Sequence, residues 1–279
     1  MNKYLVLGSS GQIGNHLVSF LKERKHTVLE FDILNDPSQD LRNNNNALEE
    51  LVQESDFVMF LAFDVGGSKY LHKHQDSYKF IDNNIRIMSN TFSILKKHSK
   101  PFIFASSQLA DLHSSTYGLC KAIGEKYTNS LGALSVKLWN VYGCEEGSEK
   151  SHVITDFVLK ANRDNEIVML TDGSEERQFL HVEDCCECFY TLSQEYRRLD
   201  KDKKYHASSF EWTSIMDVAK EVSKNFDDVK IIPSSGKDHV HCGWRVEPDE
   251  YILNFWTPKI SLSEGIKNIT KELLREKNE

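Results

Sequence analysis

The chain has 279 residues and a formal net charge of −8 at pH 7, a balance that argues against a nucleic-acid partner held by bulk electrostatics. That length suffices for one large core and a smaller appended lobe. No apolar run approaches the ~20 residues of a membrane span, and the first residues read as a core strand and not as a signal peptide, so a cytoplasmic location with no membrane partner is expected.

Lys3-Tyr4-Leu5-Val6-Leu7 is a short apolar run with strand character. Gly8-Ser9-Ser10-Gly11-Gln12-Ile13-Gly14 follows directly, and then comes a stretch from Asn15 with apolar residues at helical spacing. Glycines between a strand and a helix allow a tight turn and close backbone approach to a pyrophosphate. The helix N-terminus then offers unpaired N–H groups to that anion. A second apolar run, Thr27 to Phe31, ends at Asp32. An acid at about this distance accepts hydrogen bonds from the adenosine ribose and repels a 2′-phosphate. The pattern therefore predicts a dinucleotide, and NAD over NADP.

Asp40-Leu41-Arg42 falls where the adenine end of such a cofactor would lie, and Ala47 to Gln53 has the pattern of a short helix. Phe57-Val58-Met59-Phe60-Leu61-Ala62 is continuously apolar, as in a strand buried on both faces. It runs into Gly66-Gly67. Those glycines either make a plain turn or stand beside the ligand, since open parallel sheets bind ligands beyond the carboxyl ends of their strands. Ser77 to His98 is a long amphipathic helix with Ile81, Ile85, Met88, Phe92 and Leu95 on one face, and Pro101 to Ala105 is the next strand. Strands alternating with helices predict a doubly wound α/β sheet.

The strand at Phe102 leads into Ser106-Ser107, and Tyr117-Gly118-Leu119-Cys120-Lys121 follows. On a helix Tyr117 and Lys121 share a face. A free phenol, with a pKa near ~10, is a poor base at neutral pH. A nearby ammonium and a positive nicotinamide ring favour its phenolate. Ser107 can then hydrogen-bond a substrate hydroxyl or carbonyl while Tyr117 moves its proton.

These motifs resemble the extended short-chain dehydrogenases/reductases, in particular the nucleotide-sugar epimerases and dehydratases. The matching residues are Gly8, Gly11 and Gly14, Asp32, Asp40-Leu41-Arg42, Leu61-Ala62, Ser106-Ser107, and Tyr117 with Lys121. Lys137 to Gly143, Arg177 to Asp184 and Trp256 to Gly265 extend the resemblance over nearly the whole chain. It implies a Rossmann-type doubly wound parallel sheet in residues 1–143, with a segment near 179–207 returning to it. Residues 144–279 would mainly form a smaller α/β carboxyl-terminal lobe for a nucleotide-sugar. It implies NAD as cofactor, bound by the glycine turn with Gln12 and Ile13, by Asp32, Asp40 and Leu41, by Leu61 and Ala62, and by Tyr117 and Lys121. Asn140 would contact the sugar or its diphosphate, and Arg177 the diphosphate, with Arg245 beside Trp244 as a second candidate. A homodimer through a four-helix bundle, built from Ser77–His98 and the Tyr117 helix, is also implied.

Departures from the resemblance narrow the chemistry. Dehydratases of the group carry an Asp-Glu pair directly after the catalytic Ser or Thr. Gln108 and Leu109 stand there, and leucine cannot exchange protons. The stretch Leu61 to Gly67 also resembles GDP-mannose 3,5-epimerases, whose acid/base lysine matches Lys150. Their cysteine partner falls at Leu109, so Lys150 is either a substrate contact or a solvated lysine. What remains is hydride transfer at one carbinol, C4 of a nucleotide-activated sugar, by a 4-epimerase or 4-dehydrogenase in glycan or polysaccharide precursor synthesis. A 4-keto-sugar reductase is the alternative, disfavoured by Asp32. A non-catalytic dinucleotide sensor or scaffold is the alternative of another class, disfavoured by the intact Ser107, Tyr117 and Lys121. In the carboxyl-terminal part, helices are predicted over Ile154 to Ala161, Glu183 to Leu192, Thr213 to Phe226 and Leu262 to Leu274, and strands over Ile167 to Leu170 and Lys230 to Ile232. Cys185 and Cys188 have half-site spacing but no second pair, so they read as buried thiols on a helix and no metal is expected.

Overall fold

The computed structural model describes residues 2–43, 46–112, 114–145, 151–236 and 245–275. Lys150, Trp244, Asn44 and Asn45 lie outside the described residues. The first part of the chain runs β1 (Lys3–Leu7), α1 (Gln12–Glu23), β2 (Thr27–Phe31), α2 (Asn46–Glu54), β3 (Phe57–Phe60), α3 (Ser68–His74), α4 (Tyr78–His98) and β4 (Phe102–Ser107). A 3-10 turn (Gln108–Asp111), α5 (Thr116–Ser130) and β5 (Leu134–Leu138) complete it. Then come β6 (Val141–Tyr142), α6 (Val153–Asp164), β7 (Glu166–Val168), β8 (Glu176–Gln178), β9 (Leu180–His181), α7 (Val182–Glu195), β10 (Tyr205–Ala207), β11 (Trp212–Ser214), α8 (Ile215–Ser223), β12 (Lys230–Ile232), a second 3-10 turn (Glu250–Asn254) and α9 (Leu262–Arg275).

The main sheet has six parallel strands in the order β2-β1-β3-β4-β5-β10. Strand order reverses at β1, which lies between β2 and β3. A crevice opens outside the carboxyl ends at such a point. The apolar runs are continuous because both faces are covered. Tyr4 and Val6 point to a layer where Leu17, Val18 and Leu21 of α1 meet Phe189 and Leu192 of α7. Leu5, Leu7, Val58 and Phe60 point the other way, to Val52 of α2, Met88 and Phe92 of α4 and Cys120 of α5. The chain is therefore an α/β Rossmann-type doubly wound sheet. Cys185, Cys186 and Cys188 are fully buried in the α1–α7 layer, where burial pushes their thiols up.

A second core holds Ile154, Phe157 and Val158 of α6, Val218 and Val222 of α8 and Ile266 and Ile269 of α9. Two-stranded pieces, β7 with β12 and β8 with β11, lie alongside it. Late segments also return to the main sheet, since β10 pairs with β5 and α7 packs on α1. No helix among the described residues is long and apolar enough to cross a membrane.

Two local expectations change, and one helix appears that no sequence pattern marks. The helix expected from Thr213 begins at Ile215, because Thr213 and Ser214 pair antiparallel with β8, and the Ser214 hydroxyl caps the helix by accepting from Asp217 N–H. Helix α3, just after the glycine pair, carries no clear apolar period and was not expected from the pattern. On α4 the core face is Phe80, Asn84, Ile87, Met88, Thr91, Phe92 and Leu95, whereas Ile81 and Ile85 are 37% exposed. Which edge of the apolar stripe is covered is decided by packing against β3, β4 and α5, which periodicity does not encode.

Phe92 links α4 to the sheet and to α5. Its ring stacks on Tyr127 at 5.1 Å and meets Phe60 and Phe104 edge-on at 5.3 and 5.6 Å. Phe92→Ala is expected to cost about 3–5 kcal/mol, read as a lower urea midpoint. An unchanged midpoint would mean that this layer does not hold the helices on the sheet.

Candidate active site

A cavity of about 1110 Å³ lies outside the carboxyl edge of the main sheet, at the upper end of the volumes usual for small-ligand sites. One end of it is the glycine turn. Gly8 sits at φ +86°, and a Cβ on Gly14 would fall 1.9 Å from the Gly8 carbonyl oxygen, so only glycine lets α1 start this close to β1. The cap residue Gly11 has no side chain to satisfy the first-turn N–H groups, and Gln12, Ile13 and Gly14 line the cavity. Gln12 also carries a buried Nε2 with no hydrogen-bond partner among the described residues. An orphan amide donor beside uncapped backbone N–H groups fits a diphosphate.

Asp32 stands at the end of β2 on the same wall. Its Oδ2 accepts from Ser10 N–H at 3.0 Å and its Oδ1 from Leu34 N–H at 2.9 Å. Two backbone donors thus fix the carboxylate, and its remaining lone pairs are available to ribose hydroxyls. Asp40 and Leu41 also line the cavity. The Asp40 carboxylate is gripped on both oxygens by Arg42, which holds its pKa below the usual range. Arg42 reaches Asn83 at 3.3 Å, and Asn83 donates to Asp64 at 2.9 Å. At the end of β3, Leu61 and Ala62 both donate N–H to the Leu7 carbonyl, at 3.0 and 2.8 Å. This locks the β3 exit against the glycine turn. The donor set, the acid and the glycine cradle fit NAD.

The other end of the cavity holds Ser107, Tyr117 and Lys121. Ser107 is the last residue of β4, its hydroxyl accepts from Leu109 N–H at 3.2 Å, and it draws the Tyr117 phenol's pKa downward. Tyr117 and Lys121 occupy successive turns of α5. A Cβ on Gly118 would fall 2.0 Å from the Leu109 carbonyl oxygen, so α5 presses against the turn that follows Ser107. Gln75 accepts from Tyr117 N–H at 3.3 Å, and Asp76 accepts from Thr116. Lys121 is 3% exposed and donates to the Ala105 carbonyl at 2.6 Å. Burial dominates both groups. It pushes the Tyr117 phenol up to about 12, against the pull of Ser107, and Lys121 down to about 7. The lysine alone does not bring the phenol down, in contrast to the expectation from their spacing.

Gly66 and Gly67 line the cavity beside Tyr70, and Asn140 lines it while donating to the Gln178 carbonyl at 3.2 Å. Arg177 and Arg245 are not among the lining residues. Arg177 donates to the Glu176 carbonyl at 2.6 Å. Arg245 pairs with Glu176 at 2.9 Å and Glu247 at 3.0 Å and lies 4.1 Å over the Trp212 ring. The structure thus places Arg245 in a surface ion-pair cluster. Three residues to which the sequence assigned no role, Phe63, Glu145 and His152, also line the cavity, and Asn84 braces it from behind. Phe63 covers the Lys121 ammonium, Asn84 clamps the backbone of Asp64, and Glu145 hydrogen-bonds His152 at 2.5 Å on the cavity wall. Phe63 and Asn84 act through contacts between distant segments, which no local pattern marks, and the Glu145–His152 pair is local in sequence but matches no motif.

The fold and the site have counterparts among known proteins. The family model of the NAD dependent epimerase/dehydratase family matches residues 4–208. UDP-glucuronic acid decarboxylase 1 of Arabidopsis thaliana is 22% identical over 97% of this chain and 69% of its own length. A putative UDP-glucose 4-epimerase of Methanocaldococcus jannaschii is 24% identical over 95% of this chain and 96% of its own. The structure of UDP-glucose 4-epimerase from Thermotoga maritima with UDP-glucose superposes with a TM-score of 0.81 at 19% identity, over 99% of this chain and all of the other. The match of the family model over most of the chain, with a doubly wound sheet and a glycine cradle suited to NAD, places this chain in the NAD dependent epimerase/dehydratase family.

Proposed function

We propose that this protein is an NAD-dependent enzyme that transfers hydride at one carbinol of a nucleotide-activated sugar, at C4, as an epimerase or dehydrogenase. The observation that carries the reading is the convergence of Ser107, Tyr117 and Lys121 in the same cavity as the glycine turn and Asp32. NAD, once bound, would supply a hydride acceptor and, when oxidised, a positive charge that favours the phenolate. Ser107 holds the substrate oxygen and hydrogen-bonds the phenol. Tyr117 takes the hydroxyl proton as hydride leaves and returns it when a keto-sugar is reduced. Lys121 stabilises the phenolate from the next helical turn.

The position after Ser107 supports redox at one carbon. Gln108 and Leu109 line the cavity there, and neither can abstract a proton from a sugar carbon. The relatives include a putative 4-epimerase, a decarboxylase and a reductase. A nucleotide-sugar substrate agrees with the cavity volume and with the solved epimerase that holds UDP-glucose.

A homodimer through α4 and α5 belongs to the same reading. Ile81 and Ile85 on α4, and Leu119, Ile123 and Tyr127 on α5, form an exposed apolar stripe, each between 37% and 43% accessible. Two copies would bury these stripes against each other as four helices.

Tyr117→Phe is expected to lower turnover about 100- to 10,000-fold while NAD still binds, followed by nicotinamide fluorescence. Turnover within a few fold of wild type would remove Tyr117 as the base. Asp32→Ala is expected to weaken NAD about 10- to 100-fold, the loss of charge-assisted hydrogen bonds, and to erase the preference over NADP. An unchanged preference would put the adenosine site elsewhere. In sedimentation equilibrium the protein should have twice the 32.1 kDa chain mass, and Ile85→Glu with Ile123→Glu should return it to one chain. A wild-type monomer would reject the dimer.

A further inference from the structure

Lys121 presents an unsolved requirement of the proposed mechanism. To support a phenolate it must be charged, yet it is almost fully buried and burial draws it down to about 7. The groups that face it are few. Its own helix contributes Tyr117, Cys120 and Glu125, the last two favouring the charged form. Strand β4 contributes the Ala105 carbonyl at 2.6 Å and the Phe104 ring, whose centroid is 4.9 Å away. The segment after β3 contributes Phe63, whose ring centroid is 3.7 Å from Nζ. Among the described residues that is the nearest aromatic face to the ammonium, well inside the range of a cation–π contact. The same ring meets Tyr117 edge-on at 5.7 Å, so both members of the pair rest on it.

Phe63 is held in this place by its neighbour. Asp64 donates its backbone N–H to Asn84 Oδ1 at 2.8 Å, and Asn84 Nδ2 donates back to the Asp64 carbonyl at 3.1 Å. Asn84 is wholly buried. The Asp64 carboxylate accepts from Tyr70 at 2.6 Å and from Asn83 at 2.9 Å. Four hydrogen bonds therefore fix the residue next to the ring, and the ring itself forms part of the cavity wall.

We propose that Phe63 is a positioning residue of the active site, whose ring face holds Lys121 as an ammonium beneath Tyr117. The ring touches the lysine and the tyrosine, and acts on the reaction through them. This deepens the hydride-transfer reading of the same site and rests on it for its catalytic meaning.

The test replaces Phe63 in the full-length protein by mono-, di- and trifluorinated phenylalanine. Fluorine leaves the ring's shape nearly unchanged and removes its negative face stepwise. Lysine isotope-labelled at Cε reports the titration by nuclear magnetic resonance, and the Lys121 signal is assigned by its loss in Lys121→Met. The Lys121 titration is expected to move to lower pH with each fluorine, by about one unit across the series. A flat or rising series overturns the proposal and leaves the ring as packing. Circular dichroism and the thermal midpoint show that the fluorinated proteins fold, which a ring that only fills space would equally allow. The titration uses neither substrate nor cofactor. A failure of Tyr117→Phe to affect turnover would therefore reject the proposed function and not this contact, while a flat fluorine series would reject the contact alone.

Discussion

The parallel alignment of the six strands is the constraint on which the site depends. Parallel pairing places every strand's carboxyl end along one edge of the sheet. That edge collects the glycine turn from β1, Asp32 from β2, Phe63 from β3, Ser107 from β4 and Asn140 beyond β5. The double hydrogen bond from Leu61 and Ala62 to the Leu7 carbonyl shows how tightly neighbouring exits are tied. The switch of strand order at β1 then opens the crevice between exits that would otherwise be covered by a crossover.

Close approach is the second theme. At Gly14 and at Gly118 the backbone of a helix lies where a Cβ would collide with a carbonyl oxygen. The first contact brings the uncapped N–H groups of α1 to the cavity edge, an arrangement suited to a diphosphate. The second presses the helix bearing Tyr117 and Lys121 against the turn leaving Ser107. In both cases a missing side chain sets the distance between functional groups.

Buried polarity does the rest. Lys137, 5% exposed on β5, pairs with Asp111 in the turn after Ser107 and with Glu125 one turn beyond Lys121. Ser106 also donates to Glu125 at 2.5 Å. One buried lysine thus connects β4, β5, α5 and the intervening turn. A second chain of polar groups runs from Asp40 through Arg42 and Asn83 to Asp64. It links the region expected for the adenosine to the segment that carries Phe63. The first network is the deeper one: Lys137 is 5% exposed, and leaving its ammonium half-satisfied would be costly.

Much of the architecture is local information. Continuous apolar runs mark β1, β3 and β4 because both faces of a parallel strand are buried, and glycine spacing marks the turn because it reports backbone geometry. The spacing of Tyr117 and Lys121 places them on one helical face, and the helix is there. Other features depend on segments far apart. The start of α8 yields to pairing between Thr213 and Arg177, and Ile81 and Ile85 lie outside the core because α4 packs through its Phe80, Asn84, Ile87 and Thr91 side. Arg245 lies among Glu176 and Glu247, a surrounding that no motif specifies. The ionisation of Tyr117 and Lys121 reverses what adjacency alone suggests, since desolvation is a property of the whole packed core. Residue type and spacing by themselves determined the fold class, the dinucleotide turn and the identity of the Ser107, Tyr117 and Lys121 candidates. Only the tertiary structure decided how deeply those groups are buried and which ring faces the lysine, because burial and contact are set by residues that the chain brings together from a distance.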